Sequence, residues 1–146
     1  MGPLFLDTNI IIRYLTQDDP DMAARARQLL KLVESGSVNL VTSESIVVEA
    51  VQVLSSKALY NQPRTNVAGD LATILSLPKL KLANKRTYLR ALTLWANAAS
   101  SVDFVDALCV AQTEQQKIST IASFDQDFDR FPQIKRFEPQ IIGERS

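Results

Sequence analysis

A chain of 146 residues with 16 basic and 16 acidic side chains has no net charge, which argues against a protein that coats nucleic acid indiscriminately. The length suits one domain with a continuous core that needs neither a disulfide nor a metal clip. No histidine occurs, so imidazole-dependent triads and the commonest zinc ligand are excluded, and chemistry at neutral pH falls to carboxylates, lysines or a hard metal.

The single cysteine, Cys109, sits in an apolar run and reads as a buried, inert thiol that suits a reducing compartment. The apolar run Leu4 to Leu6 stops at Asp7 with no basic stretch before it, too short for a signal peptide or a membrane span, so a cytoplasmic location is expected. Charge is uneven along the chain. Residues 71–102 contain no acid but carry Lys79, Lys81, Lys85, Arg86 and Arg90, a candidate basic strip.

In chain order, Leu4-Phe5-Leu6 does not alternate with polar residues and reads as a short, fully buried strand ending at Asp7. Thr8 to Leu15 is strand-like by propensity, but Asn9 breaks the alternation and the span before Pro20 suits a helix. Asp19 can cap the next helix, with Pro20 in its first position, Asp21 in its first turn and Gly36 as terminator. Val38 to Val41 is a second strand. Thr42 or Ser43 caps a helix reaching about Leu59, with Ile46, Val47, Ala50, Val51 and Leu54 at helical spacing.

Arg64 to Leu75 is a further helix ended by Pro78. Leu80 and Leu82 flank Lys81 in a short strand, and Asn84 caps a helix from Lys85 towards Ala98. Ser100 or Ser101 caps another, running through Asp103 and Asp106 to about Gln116. Ile118 to Ala122 is a strand, Phe124 to Asp129 an acidic loop, and Ile134 to Phe137 a last strand before a loose tail from Gln140. Short strands alternating with helices imply a mostly parallel sheet covered on both faces, with sites beyond the carboxyl ends of the strands.

Four separated places put carboxylates where they could meet at that rim: Asp7, Glu49, Asp103 or Asp106, and Asp125. Clustered carboxylates repel, and a divalent cation relieves the repulsion. Oxygen ligands favour magnesium or manganese, which can activate water towards a phosphodiester. Glu49 is embedded among apolar residues, where an unpaired buried carboxylate would be costly. Thr8 and Asn9 either support the metal site by hydrogen bonding or simply cap the helix after Asp7.

Phe5-Leu6-Asp7-Thr8-Asn9-Ile10-Ile11, Thr42-Ser43-Glu44-Ser45-Ile46-Val47-Val48-Glu49, Asp103-Phe104-Val105-Asp106-Ala107-Leu108 and Ile121-Ala122-Ser123-Phe124-Asp125-Gln126-Asp127-Phe128 fall in that order along the chain. Together they resemble the four acidic motifs of the PIN-domain ribonucleases, and within them the VapC-type toxins of toxin-antitoxin pairs. Each motif is loose, but jointly they cover nearly the whole chain. The resemblance implies an α/β fold, a PIN-like three-layer domain with a central mostly parallel sheet flanked by helices, over residues 1–139, with 140–146 as a C-terminal tail. It implies that Asp7, Glu49, Asp106 and Asp125 are the catalytic and metal-holding acids, with Thr8, Asn9, Asp103, Ser123 and Asp127 as possible accessories. Ser123 stands where the family usually has threonine, and the hydroxyl is kept.

The family further implies Mg2+- or Mn2+-dependent endonucleolytic cleavage of RNA, a homodimer, and inhibition by a small cognate antitoxin. The basic strip, led by Lys85, Arg86 and Arg90 with Lys81 beside them, is then the expected RNA approach surface. Other uses of an aspartate after a first strand fit less well. A haloacid-dehalogenase-type phosphotransferase needs a second aspartate where Asn9 stands, and a receiver domain needs paired acids near the first strand. Four scattered glycines form no phosphate-cradling loop. A noncatalytic metal- or protein-binding module of the same fold is the remaining alternative.

Overall fold

The computed structural model describes residues 2–140. Strand β1 (Leu4–Phe5) leads into helix α1 (Thr8–Thr16), and α2 (Pro20–Glu34) returns to β2 (Leu40–Val41). Then come α3 (Glu44–Ser55), α4 (Arg64–Leu75), β3 (Leu80–Lys81), α5 (Lys85–Ala96), α6 (Phe104–Gln116) and β4 (Thr120–Ala122). A short 3-10 helix (Gln126–Arg130) precedes the last strand, β5 (Lys135–Phe137). The fold is α/β, with a parallel sheet flanked by helices. Backbone pairing runs β1-β2-β3, with Leu4 opposite Leu40 and Leu40 opposite Leu80, while β4 and β5 form a second parallel pair.

Short strands suffice because helices supply most of the core. Leu6, Val47, Leu54, Leu71, Leu92 and Ala107 are among its buried residues. A smaller cluster of Val102, Val110, Phe128, Phe131 and Ile134 anchors the 3-10 helix and the approach to β5 beside α6. Asp19 caps α2 by accepting from the Met22 amide at 3.1 Å, and Pro20 occupies the first turn, where its missing N–H costs nothing. Gly36 follows the helix at φ +86°, a backbone conformation in which a Cβ would be strained.

Several boundaries and one burial expectation need correction. The run Leu4 to Leu6 is not wholly buried: Leu6 is, but Phe5 is 61% exposed. α3 stops at Ser55 rather than near Leu59, which is exposed, and Ser43 begins it without a side-chain cap bond. Asn84 stands at the start of α5 in a left-handed conformation, and its Oδ1 accepts from Gln115 instead of capping; α5 then ends at Ala96 rather than Ala98. α6 is capped by Asp103, not by Ser100 or Ser101. Of the expected tail, residues 141–146 lie outside the described residues. No helix among the described residues is long and apolar enough to cross a membrane.

Candidate metal centre

Asp7 follows β1 directly. Its Oδ2 accepts from the Asn9 amide at 3.2 Å, so the side chain caps α1 while remaining exposed. Next to it, Thr42 is buried and donates its hydroxyl to the Leu6 carbonyl at 3.2 Å, fastening the turn before α3 to the residue before Asp7. The first two acidic motifs are thereby brought side by side. Thr8 is 3% exposed, and its Oγ1 is the buried side-chain polar atom without a partner among the described residues. Unpaired burial of a hydroxyl costs about 1–3 kcal/mol. Thr8→Val should therefore leave thermal stability equal to or above the parent's, and a melting-curve loss of more than about 1 kcal/mol would show that Oγ1 has a structural partner.

Glu49 is exposed, contrary to the expectation from its apolar neighbours in sequence. Val47, Ala50, Val51 and Leu54 turn to the core, and the helical twist carries Glu49 to the other side. Glu44, one turn earlier, links three helices: its Oε1 accepts from the Tyr88 hydroxyl at 3.0 Å and from Gln112 Nε2 at 3.2 Å. Burial, followed by the Glu44 carboxylate, pushes the Tyr88 phenol up to about 12.

At the start of α6, Asp103 and Asp106 form a reciprocal box. Asp103 Oδ1 accepts from the Asp106 amide at 2.9 Å, and Asp106 Oδ2 accepts from the Asp103 amide at 3.3 Å. After β4, the Asp125 amide donates to Ser123 Oγ at 2.9 Å, and Asp125 Oδ1 accepts from the Asp127 amide at 2.9 Å. These tight turns fold the Asp-rich loop back against α6. Ser101 Oγ then donates to Asp127 Oδ1 at 2.9 Å, joining the loop to the segment before α6.

The result is a cluster of Asp106, Asp125 and Asp127, each offering a carboxylate oxygen within 4.8 Å of the others. Two oxygens on opposite sides of a magnesium ion at about 2.1 Å stand about 4 Å apart, so this spacing fits a small hard cation after little adjustment. Arg130 pairs with Asp127 at 3.2 Å, leaving the other two carboxylates without an ion-pair partner among the described residues. Burial, then the charges of Asp103 and Asp125, raise the Asp106 carboxyl above its ordinary value, although the Asp103 backbone bond opposes them. Such mutual repulsion is what a divalent cation removes. Asp7, Glu49 and Asp103 stand outside this three-carboxylate cluster, although Asp103 is bonded to one of its members. Asp127, expected only as an accessory, is a full member. Cys109 is half-buried rather than fully buried, and burial, then Asp106, Asp103 and Glu44, push its thiol up, which favours the protonated form.

The cations of the expected basic strip divide into two engaged within the fold, Lys85 and Arg90, and two exposed, Lys81 and Arg86. Trp95 meets Phe104 edge-on, and Gln115 reaches Asn84, so α5 and α6 run antiparallel. Arg90 makes a two-pronged bond to Glu114, at 2.9 and 3.1 Å. Glu114 is two turns beyond Asp106, about 12 Å along the helix. Lys85 turns inward to the Leu77 and Leu80 carbonyls, and burial lowers its ammonium pKa. Arg86 and Lys81 remain exposed. A basic residue overlooked in the sequence stands nearer the acids: Arg64 donates to the Trp95 and Ser100 carbonyls at 3.1 and 2.9 Å and stacks 5.0 Å from the Trp95 ring centre.

No curated protein matches the chain closely enough to serve as a relative. A family model described as the PIN domain matches residues 4–134, which span all four acidic segments and the three carboxylates now found together, and the chain belongs to the PIN domain family.

Proposed function

We propose that this protein is a metal-dependent endoribonuclease and the toxin of a toxin-antitoxin pair. The observation that carries the reading is the convergence of Asp106, Asp125 and Asp127 within a PIN domain. Asp106 and Asp125 hold Mg2+ or Mn2+ in this reading, with Asp7 and Glu49 completing the acidic site from the neighbouring β1 and α3. Asp127 either ligates directly or holds the Asp125 loop in place. When bound, the ion supplies Lewis acidity for attack of water on a phosphodiester. Asp103 and Ser123 keep the carboxylates oriented through the bonds already described, and Thr8 and Asn9 shape the approach to Asp7.

RNA reaches the site along exposed cations. Arg86 and Lys81 are available directly, whereas Arg90 must release Glu114 and Lys85 must leave its carbonyls before either meets a phosphate. An antitoxin segment is supported by the cleft of about 380 Å³ between α1 and α2, where Ile10, Met22 and Leu29 are flanked by Arg13 and Arg25. That cleft starts at Asn9, two residues from Asp7. A homodimer belongs to the same proposal.

The test uses purified protein and single-stranded RNA labelled at one end. Internal cleavage should require magnesium or manganese, stop on chelation, and return with added manganese. Cleavage indifferent to chelator, or none with either ion, would overturn the nuclease reading and leave the noncatalytic module in its place.

A further inference from the structure

We propose that the groove between the end of α3 and the start of α6 is a nucleotide subsite, which binds one unpaired nucleotide of the substrate RNA beside the phosphate at the acidic cluster. This rests on the nuclease reading and assigns part of its specificity to residues outside the four acidic motifs.

The groove has a volume of about 470 Å³, and Gln52, Lys57, Gln62, Arg64, Ser100 and Asp103 contribute to its walls. That falls within the range of about 300–1,000 Å³ for sites that enclose a small organic group. Trp95 and Phe104 lie beneath the groove, each 3% exposed, with the Arg64 guanidinium over the Trp95 ring, and the carboxamides of Gln52 and Gln62 line it. Among the described residues, no hydrogen bond occupies the Gln52 or Gln62 side-chain amide. Each therefore presents a donor and an acceptor to an incoming edge, the arrangement that reads a nucleobase. Lys57 is exposed and pairs with no carboxylate among the described residues, so it is free to meet a backbone phosphate.

The groove and the acidic cluster share one wall, the segment from Ser100 to Asp103. Ser101 donates to Asp127, and Asp103 exchanges backbone bonds with Asp106. The groove and the carboxylates are therefore joined through this one segment. Arg64 keeps this wall in place by donating to the Ser100 carbonyl, and with Lys57 it sets two cations in the lining against the single carboxylate of Asp103. Since a base pair cannot enter a pocket of this size, the nucleotide must come from a single-stranded loop or end.

The experiment reads binding rather than turnover. Four single-stranded RNA tetramers, one of each base, are titrated into the whole protein with chelator and again with calcium. The readouts are the fluorescence of Trp95, the sole tryptophan, buried under Arg64 at the base of the groove, and the side-chain amide NMR signals of Gln52 and Gln62. Saturable binding should move both, with at least about fivefold discrimination between best and worst base. The double variant Gln52→Ala with Gln62→Ala should bind all four within about twofold of one another. Lys57→Gln should keep the discrimination but lower the salt slope by about one. Equal binding of the four bases by the parent, discrimination surviving in the double variant, or no change at Trp95 in either condition would each overturn the subsite. A parallel cleavage assay separates the two readings: cleavage with no groove response rejects the subsite alone, whereas groove binding without metal-dependent cleavage rejects the nuclease.

Discussion

Asp106→Asn should lower metal-dependent RNA cleavage by about 100-fold or more while leaving the fold intact. The scale follows from mutations of groups that merely support a metal ligand, which commonly cost about 10–100-fold in affinity or activity. Folding should survive because asparagine keeps an oxygen where Asp106 Oδ2 now accepts from the Asp103 amide, and the Asp106 amide still reaches Asp103. Asp7→Asn should behave alike, since its carboxylate lies on the surface and its capping bond to Asn9 can be made by asparagine. Circular dichroism and cleavage at saturating manganese would check both. Full activity in either variant would remove that residue from the acidic site.

The same substitution has a consequence without metal. Burial, then the neighbouring Asp103 and Asp125, raise the Asp106 pKa above the ordinary 3.8, so the folded state holds this proton more tightly than the unfolded chain. Linkage then runs opposite to that of a carboxylate stabilised by an ion pair. The residue opposes folding as pH rises from the unfolded value through the raised folded one, and the penalty is complete above that. In chelator, Asp106→Asn should melt with the parent near pH 3 and above it at neutral pH. Added magnesium should close the gap by stabilising the parent. A parent that gains on the variant as pH rises in chelator would contradict this account.

The parts of the architecture that could be read from sequence were those specified locally. Asp19-Pro20 starts a helix by capping and by a preset φ, and the alternation of short apolar runs with amphipathic segments leaves few arrangements besides a covered parallel sheet. The errors arose where long-range partners decide. Asn84 looks like a cap, but Gln115, 31 residues away, takes its oxygen. Ser100 and Ser101 look like caps too, yet Asp103 can exchange two bonds with Asp106, and Ser101 is drawn to Asp127.

For the candidate site, Asp125 was visible as an acid after a strand, and the motif resemblance favoured Asp106 over Asp103. The membership of Asp127 in the cluster depends on a turn in which its amide bonds Asp125, and an Asp-rich loop gives no such geometry from spacing alone. The basic strip shows the converse limit. Five cations in an acid-free stretch suggest a surface, but Lys85 is consumed by two carbonyls and Arg90 by Glu114, a residue outside the stretch. Arg64, a single cation before the stretch, gave no charge pattern at all. Its partners are backbone carbonyls, which every sequence possesses.

That arginine supports the last prediction. Arg64→Met should destabilise the protein by about 2 kcal/mol and weaken manganese binding, although it contacts no member of the carboxylate cluster. A hydrogen bond from a charged donor is worth about 1.5–3 kcal/mol and a guanidinium over a buried ring, as at Trp95, about 2. The loss is moderated because the Trp95 carbonyl also accepts from Ala98, and the Ala99 carbonyl, which Arg64 reaches at 3.4 Å, also accepts from Val102. The Ser100 carbonyl keeps no such second partner among the described residues, so the loosening concentrates there. For a chain of this size the melting temperature should fall by about 4–8 °C. Methionine retains much of the side chain's packing over Trp95, which confines the change largely to the guanidinium. Freed at Ser100, the wall carrying Ser101 and Asp103 would hold Asp127 and Asp106 less firmly, so the entropy of ordering them would fall on metal binding. Arg64→Lys should recover only part of the stability, because an ammonium cannot span the Trp95 and Ser100 carbonyls in the fork that Arg64 uses. Thermal melts with and without manganese would measure both effects. A methionine variant within 0.5 °C of the parent, or one with an unchanged manganese-induced rise, would show that this arginine does not brace the acidic site; the half-degree criterion is about a tenth of the expected shift.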